Sequence, residues 1–142
     1  GSCVASRRFV VAAAPGKVVR AERGRVVETL NGNNFQGKGW ALLYLHLATI
    51  GRVGQGVVLD SGDKIGHPSC EGGNADASHL HFARLYNGQW IEPNAIPFVL
   101  SNWSVAAADQ EYDGQITRGA ESREACNCRD DAKNGIVADA GK

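Results

Sequence analysis

Two imidazoles stand two residues apart in Ser78-His79-Leu80-His81-Phe82-Ala83-Arg84-Leu85-Tyr86, and the segment reads as a β-strand. Side chains two apart on a strand share a face, so His79 and His81 are expected to point together, with Leu80 and Phe82 in the opposite layer. Histidines held this way suit a metal site or an acid/base pair, because imidazole both ligates metals and titrates near neutrality. His46 adds a third, inside the apolar run Trp40-Ala41-Leu42-Leu43-Tyr44-Leu45-His46-Leu47. These are three of the four histidines in the chain, all in segments that read as strands. Any one alone reads more simply as a core histidine satisfied by a carbonyl, whereas the pair with His46 favours shared chemistry. A catalytic zinc takes three protein ligands and leaves one position to a water. Neighbouring histidines can then orient that water, take its proton or stabilise an oxyanion.

The elements that must position these groups are short. Phe9 to Ala14 and Lys17 to Glu22 flank Pro15-Gly16 and read as a hairpin, and Arg25 to Leu30 reads as a further strand. A polar loop, Asn31 to Gly39, leads into Trp40–Leu47, which reads as a central strand buried on both faces. Trp40, Tyr44 and Tyr86 could line a groove, but on strands such aromatics more often pack in the core or pair across strands. Glycines spaced through Arg52 to Gly66 mark short strands and tight turns. His67 to Ser78 is a loop feeding the histidine strand, which Asn87-Gly88 turns back through Gln89-Trp90-Ile91. Ile96 to Leu100 is expected to pack back onto the body. Trp103 to Ala107 and Tyr112 to Thr117 could form a last hairpin, and the chain from Arg118 onward reads as polar and loosely ordered. No stretch sustains a helical apolar period over three turns. The expected fold is mainly β, a small antiparallel sheet with few or no helices, with a body over residues 1–100 and an appendix over 101–142.

Composition narrows the partners. With 142 residues the chain can bury a core without help from metals or disulfides, and its 15 basic and 15 acidic residues cancel. That balance gives no field for nucleic acid or an anionic membrane surface. No apolar run reaches the roughly 20 residues that span a bilayer. Four cysteines allow three full pairings. Cys3 and Cys70 both lie in loop sequence rich in small residues, and a bridge between them is the expected pairing, which implies an oxidising compartment. Cys126-Asn127-Cys128 reads equally as a local disulfide, an intermolecular link or two thiols.

Three segments together carry a resemblance: Tyr44-Leu45-His46-Leu47; Val53-Gly54-Gln55 through Gly62-Asp63-Lys64-Ile65-Gly66; and His79-Leu80-His81-Phe82 with Tyr86-Asn87-Gly88. In order and spacing they resemble the lysostaphin-type zinc metallopeptidases, and more closely the staphylolysin-like branch, over roughly residues 9 to 98. Pro68-Ser69-Cys70-Glu71-Gly72-Gly73 resembles the loop that a disulfide braces in that branch, which favours an oxidised Cys70. The resemblance implies an antiparallel sheet with a groove, one zinc ion (Zn2+), and hydrolysis of peptide bonds in peptidoglycan stems or glycine-rich cross-bridges. It further implies a monomer, secreted or held in the cell envelope. His81 matches the metal ligand of the His-x-His motif, and His79 and His46 match the two histidines that assist the zinc-bound water.

The sequence departs from that pattern in two places. No histidine precedes His46 and no aspartate precedes Asp60, whereas the family takes its other ligands from an upstream histidine and aspartate. The expectation is that the chain begins just after that aspartate, the domain being N-terminally incomplete; His67, Asp60, Asp63 and Asp76 read as loop or turn residues rather than substitutes. Ala83 stands where many members carry an acid, which changes the surroundings of the ligand. Two other readings compete: an inactive domain of the same fold that binds peptidoglycan or activates a hydrolase, and, more remotely, a biotinyl- or lipoyl-like carrier suggested by the Val-Gly-Gln and Gly-Asp-Lys-Ile-Gly spacing.

Overall fold

A computed structural model describes residues 3–111 and 113–138 of the chain. The strands are β1 (Val10–Val11), β2 (Gly16–Glu22), β3 (Arg25–Thr29), β4 (Trp40–Leu45), β5 (Val58–Leu59) and β6 (Lys64–Gly66). They continue with β7 (His81–Tyr86), β8 (Gln89–Trp90), β9 (Val99–Leu100), β10 (Trp103–Ala107), β11 (Gly114–Arg118) and β12 (Glu121–Glu124). Among the described residues the one helix is α1 (Asp131–Asn134). Every strand pairing is antiparallel, as the sequence led us to expect. Two compact units divide between Ile91 and Glu92.

The first unit is built on a six-stranded sheet in the order β5-β2-β3-β4-β7-β8, with a small β1-β6 pair beside it. Alternation along the strands sorts side chains to two faces. On one, Val26, Leu42 and Tyr44 join Val10, Val18, Leu47, Leu59 and Ile65 in the larger core, with Phe82 packed against it. On the other, Val27, Ala41, Leu43 and Leu85 form a smaller cluster with Leu45 and Ala83 at its margin. β4 lies between β3 and β7 and feeds both layers, which is why its sequence is apolar almost without interruption. The aromatics mostly serve packing: Tyr44 is buried against Phe82 with ring centroids 5.1 Å apart, and Trp40 meets its cross-strand partner Tyr86 at 5.0 Å.

The expected hairpin across Pro15-Gly16 does not form. β1 pairs with β6, while β2 pairs with β3 and β5. The turn that forms instead is Arg23-Gly24, with φ of 51° and 77°, the two positive angles a two-residue hairpin of matching twist requires. Asn87-Gly88, at 50° and 77°, makes the same turn between β7 and β8, where the sequence placed it.

One buried acid shapes this core. Glu28 is fully buried; the Tyr44 hydroxyl donates to its Oε1 at 2.8 Å and in turn accepts from the Ala13 N–H at 3.0 Å. Its Oε2 has no hydrogen-bond partner among the described residues. Gly16 allows this, since a Cβ there would fall 2.4 Å from the Thr29 carbonyl oxygen and 2.7 Å from Glu28 Oε2. Burial pushes the carboxyl up to about 7, against a partial offset from the Tyr44 hydrogen bond. A carboxyl with a raised folded-state pKa contributes its full stability below the unfolded value, and loses it as pH rises from there through the folded value. For Glu28 that window runs from 4.5 to about 7. Glu28→Gln removes the titration, so between pH 4.5 and pH 8 the stability difference should move in the variant's favour by roughly 3 kcal/mol. Urea unfolding at the two pH values measures it; a difference that does not change with pH would assign the titration elsewhere.

The second unit holds a four-stranded sheet in the order β12-β11-β10-β9. Trp103 is buried there, with the guanidinium groups of Arg118 and Arg123 at 4.5 and 5.0 Å from its ring. β10 and β11 pair as the expected last hairpin, Tyr112 lying outside the described residues. Val99–Leu100 pairs with β10, and one expectation is corrected: the stretch after Arg118 contains β12, since the turn at Gly119, φ 59°, folds Glu121–Glu124 back onto β11. Cys3 is bonded to Cys70, the expected pairing, and Cys126 to Cys128.

Candidate functional site

β4 and β7 bring the histidines together, although not as three strand residues. β4 ends at Leu45, and His46 follows it with φ 70°. That left-handed conformation costs a residue with a Cβ roughly 1–2 kcal/mol, and the surroundings impose it. Ser69 donates both its N–H and its hydroxyl to the His46 carbonyl, at 2.6 and 3.0 Å, and the Leu47 N–H donates to the Gly24 carbonyl at 2.8 Å. His79 lies before β7, in an isolated bridge to Ser69, and only His81 is a residue of the strand, paired with Leu45. Leu80, expected in the opposite layer, is 38% exposed, because the ladder that would fix its direction starts one residue later.

The imidazoles nevertheless converge. Ring centroids of His46 and His79 are 4.5 Å apart, and those of His46 and His81 are 6.2 Å apart. His46 Nδ1 lies 2.9 Å from the Glu71 carbonyl oxygen and His79 Nδ1 lies 2.9 Å from that of Ala77. A carbonyl only accepts, so both rings carry their proton on Nδ1 and present Nε2 as the free lone pair when neutral. Loss of solvent at the sheet surface lowers the pKa of His81, and the neighbouring His46 and His79 lower it further, which favours the neutral form. The fourth histidine, His67, stands apart, with its Nδ1 2.9 Å from the Arg8 carbonyl oxygen and its ring against Phe9.

The loop 69–73 fixes His46. The Glu71 carboxylate accepts from the Thr49 N–H at 2.8 Å and the Thr49 hydroxyl at 2.6 Å, and those bonds hold its pKa below the usual carboxylate value. Gly24 must be glycine here, because at φ 77° its Cβ would meet the Glu71 carbonyl group at 2.6 Å. Cys70, bonded to Cys3, anchors the loop one residue before the carbonyl that orients His46.

His81 opens onto a groove of about 520 Å³, lined also by Arg25, Leu43, Leu45, Gly72, Ala83 and Trp90. Arg25 and Trp90 were missed by sequence reasoning. The available signal was positional: Arg25 directly follows the Arg23-Gly24 turn and Trp90 lies two residues beyond Asn87-Gly88, so each sits where a hairpin returns to the sheet. No group of three or more histidine, cysteine, aspartate or glutamate side chains among the described residues could hold a metal ion. Asp60 and Asp63 are turn residues, the Asp60 N–H donating to Asp63 Oδ2 at 2.8 Å.

A sequence model of peptidase family M23 matches residues 4–93, a span that includes the hairpins turned at Arg23-Gly24 and Asn87-Gly88, the groove and all the histidines. The chain belongs to peptidase family M23. The lysostaphin-type resemblance drawn from the sequence therefore holds. Protease LasA of Pseudomonas aeruginosa is 30% identical over 87 residues, a match covering 56% of this chain and 20% of LasA, so the chain spans about a fifth of the length of that relative. Among solved structures, the deep-sea M23 metalloprotease pseudoalterin superposes with a TM-score of 0.71 at 23% identity, covering 88% of this chain and 74% of the other, and thereby supports the M23 fold. The catalytic domain of lysostaphin from Staphylococcus simulans aligns over 60% of this chain and 66% of that domain, at 26% identity and a TM-score of 0.49.

Proposed function

We propose that this M23 chain is a zinc-dependent endopeptidase acting on peptide bonds of bacterial peptidoglycan, in the stems or in glycine-rich cross-bridges, as a secreted or envelope-held monomer. The observation that carries the reading is the convergence of the His46, His79 and His81 rings, with His81 lining a groove. The Cys3–Cys70 bond supports the extracytoplasmic placement, and the relatives named as proteases support the reaction class.

His81 is the residue we assign to the metal, as a neutral imidazole on a rigid strand. It is one arm of a site; the described residues do not complete a set of three donors. Zinc, when bound in such enzymes, acidifies a water and polarises a carbonyl. The chain's own part is proton handling. His46 and His79 each keep Nδ1 engaged on a backbone carbonyl, which leaves Nε2 as the nitrogen that can take a proton and, once protonated, steady negative charge on a tetrahedral oxyanion.

The test is hydrolysis of pentaglycine and of an alanine- and glutamate-containing stem-type peptide by the full-length, zinc-loaded protein, with metal content measured by mass spectrometry. Cleavage of either, abolished by a chelator and restored by zinc, is the expected result. Binding to intact peptidoglycan with no cleavage in zinc-supplemented buffer would replace this reading with that of a binding or hydrolase-activating domain.

A further inference from the structure

The groove also bears on what kind of peptide it receives, an inference that rests on the endopeptidase reading. Register places Arg25, Leu45 and His81 side by side on three adjacent strands, since Arg25 pairs with Leu45 and Leu45 with His81. The three therefore share one face of the sheet, and two inter-strand spacings separate the backbones of Arg25 and His81 by roughly 10 Å. Between and beyond them the lining is apolar: Leu43, Leu45 and Ala83, with Trp90, 64% exposed, on the edge strand. Arg25 is thus the one permanently charged side chain in the groove lining, and no carboxylate lines the groove against it.

Its charge is also uncommitted. Among the described residues no ion pair to Arg25 is formed, and the acid directly across the hairpin, Glu22, is held by Arg20 at 3.6 Å. A planar guanidinium at the edge of an apolar trough recognises carboxylates in two-pronged fashion, and recognises little else on a peptide as strongly. The row from Arg25 to His81 spans only about three residues of extended peptide at roughly 3.3 Å each.

We propose that Arg25 is a specificity-determining residue that binds a substrate carboxylate within about three residues of the scissile bond. The preferred substrates are then acidic stem-type peptides rather than neutral glycine bridges. Trp90 offers the adjoining apolar platform to the rest of the peptide.

Binding and cleavage are measured separately, so that this inference and the endopeptidase reading can fail independently. Isothermal titration of the full chain with acetyl-Ala-Ala-Glu-Ala-Ala-amide and with its Gln counterpart should show the acidic peptide bound about tenfold more tightly. Arg25→Gln should abolish that preference by weakening only the acidic peptide, whereas Arg25→Lys, which keeps the charge and not the fork, should retain part of it. Equal affinity of the wild-type chain for the two peptides, or a preference that survives Arg25→Gln in a folded variant, overturns the proposal. If the preference holds while neither pentaglycine nor the stem-type peptide is cut, the carboxylate site stands and the endopeptidase reading falls.

Discussion

His46→Asn is expected to lower peptide hydrolysis by two to four orders of magnitude while the protein stays folded. The magnitude is that of removing a positioned proton-transfer group. Asparagine is chosen because His46 sits at φ 70°, where alanine would be strained and asparagine is among the few residues readily accommodated. The variant keeps the backbone that Ser69 and Gly24 hold, and deletes Nε2. His79→Ala should fall by a comparable factor. The two losses should not add, because the rings are 4.5 Å apart and act on one reacting centre. Zinc content separates the roles. Variants at His46 and His79 should retain the metal content of the wild-type chain, and His81→Ala should lose it. Activity within threefold of wild type for His46→Asn would remove His46 from the catalytic group, and zinc loss in His79→Ala would exchange the roles assigned to His79 and His81.

Breaking the Cys3–Cys70 bond should be the largest single loss of stability. The bond closes a loop with a sequence separation of 67 residues. Chain-entropy arguments assign such a loop about 4 kcal/mol. Replacing both cysteines by serine should therefore shift the urea midpoint by an amount corresponding to roughly 2–4 kcal/mol. It should also depress turnover beyond what the remaining folded fraction explains, because Cys70 is adjacent to Glu71, whose carbonyl accepts the Nδ1 proton of His46. A double variant with wild-type stability would mean that Glu71 and Thr49 alone hold the loop.

Much of the fold was legible in the sequence because its signals are local. Asn87-Gly88 specifies its hairpin by the positive φ both residues accept, and the uninterrupted apolar run at Trp40–Leu45 marks a strand with two covered faces. What was not legible depended on partners far away in sequence. The Phe9 segment looks like half of a hairpin, yet its neighbour is β6, since nothing in two short apolar runs states which third strand will compete. The types of the site residues were readable, their backbone states were not. His46 looks like a strand residue among leucines, and only the demands of Ser69 and Gly24 on its carbonyl and on the following amide bend it into the left-handed region. Arg25 and Trp90 share a groove through register across strands, a relation that spacing along the chain does not express.

The antiparallel ladder between β4 and β7 has one more consequence. It runs from Trp40 opposite Tyr86 to Leu45 opposite His81, flanked by β3 on one side and β8 on the other. Residues in such a position belong to the cooperative unit whose amides exchange with solvent only when the whole domain opens. The ladder sets where Leu45 and His81 stand relative to each other, and the loop 69–73 then fixes His46 immediately beyond its end. Substitutions on the short edge strand β8, which carries Trp90 into the groove lining, can thus alter what the groove receives while the β4–β7 pairing keeps His81 in place, so that substrate choice and reactive geometry are free to vary on separate parts of the chain.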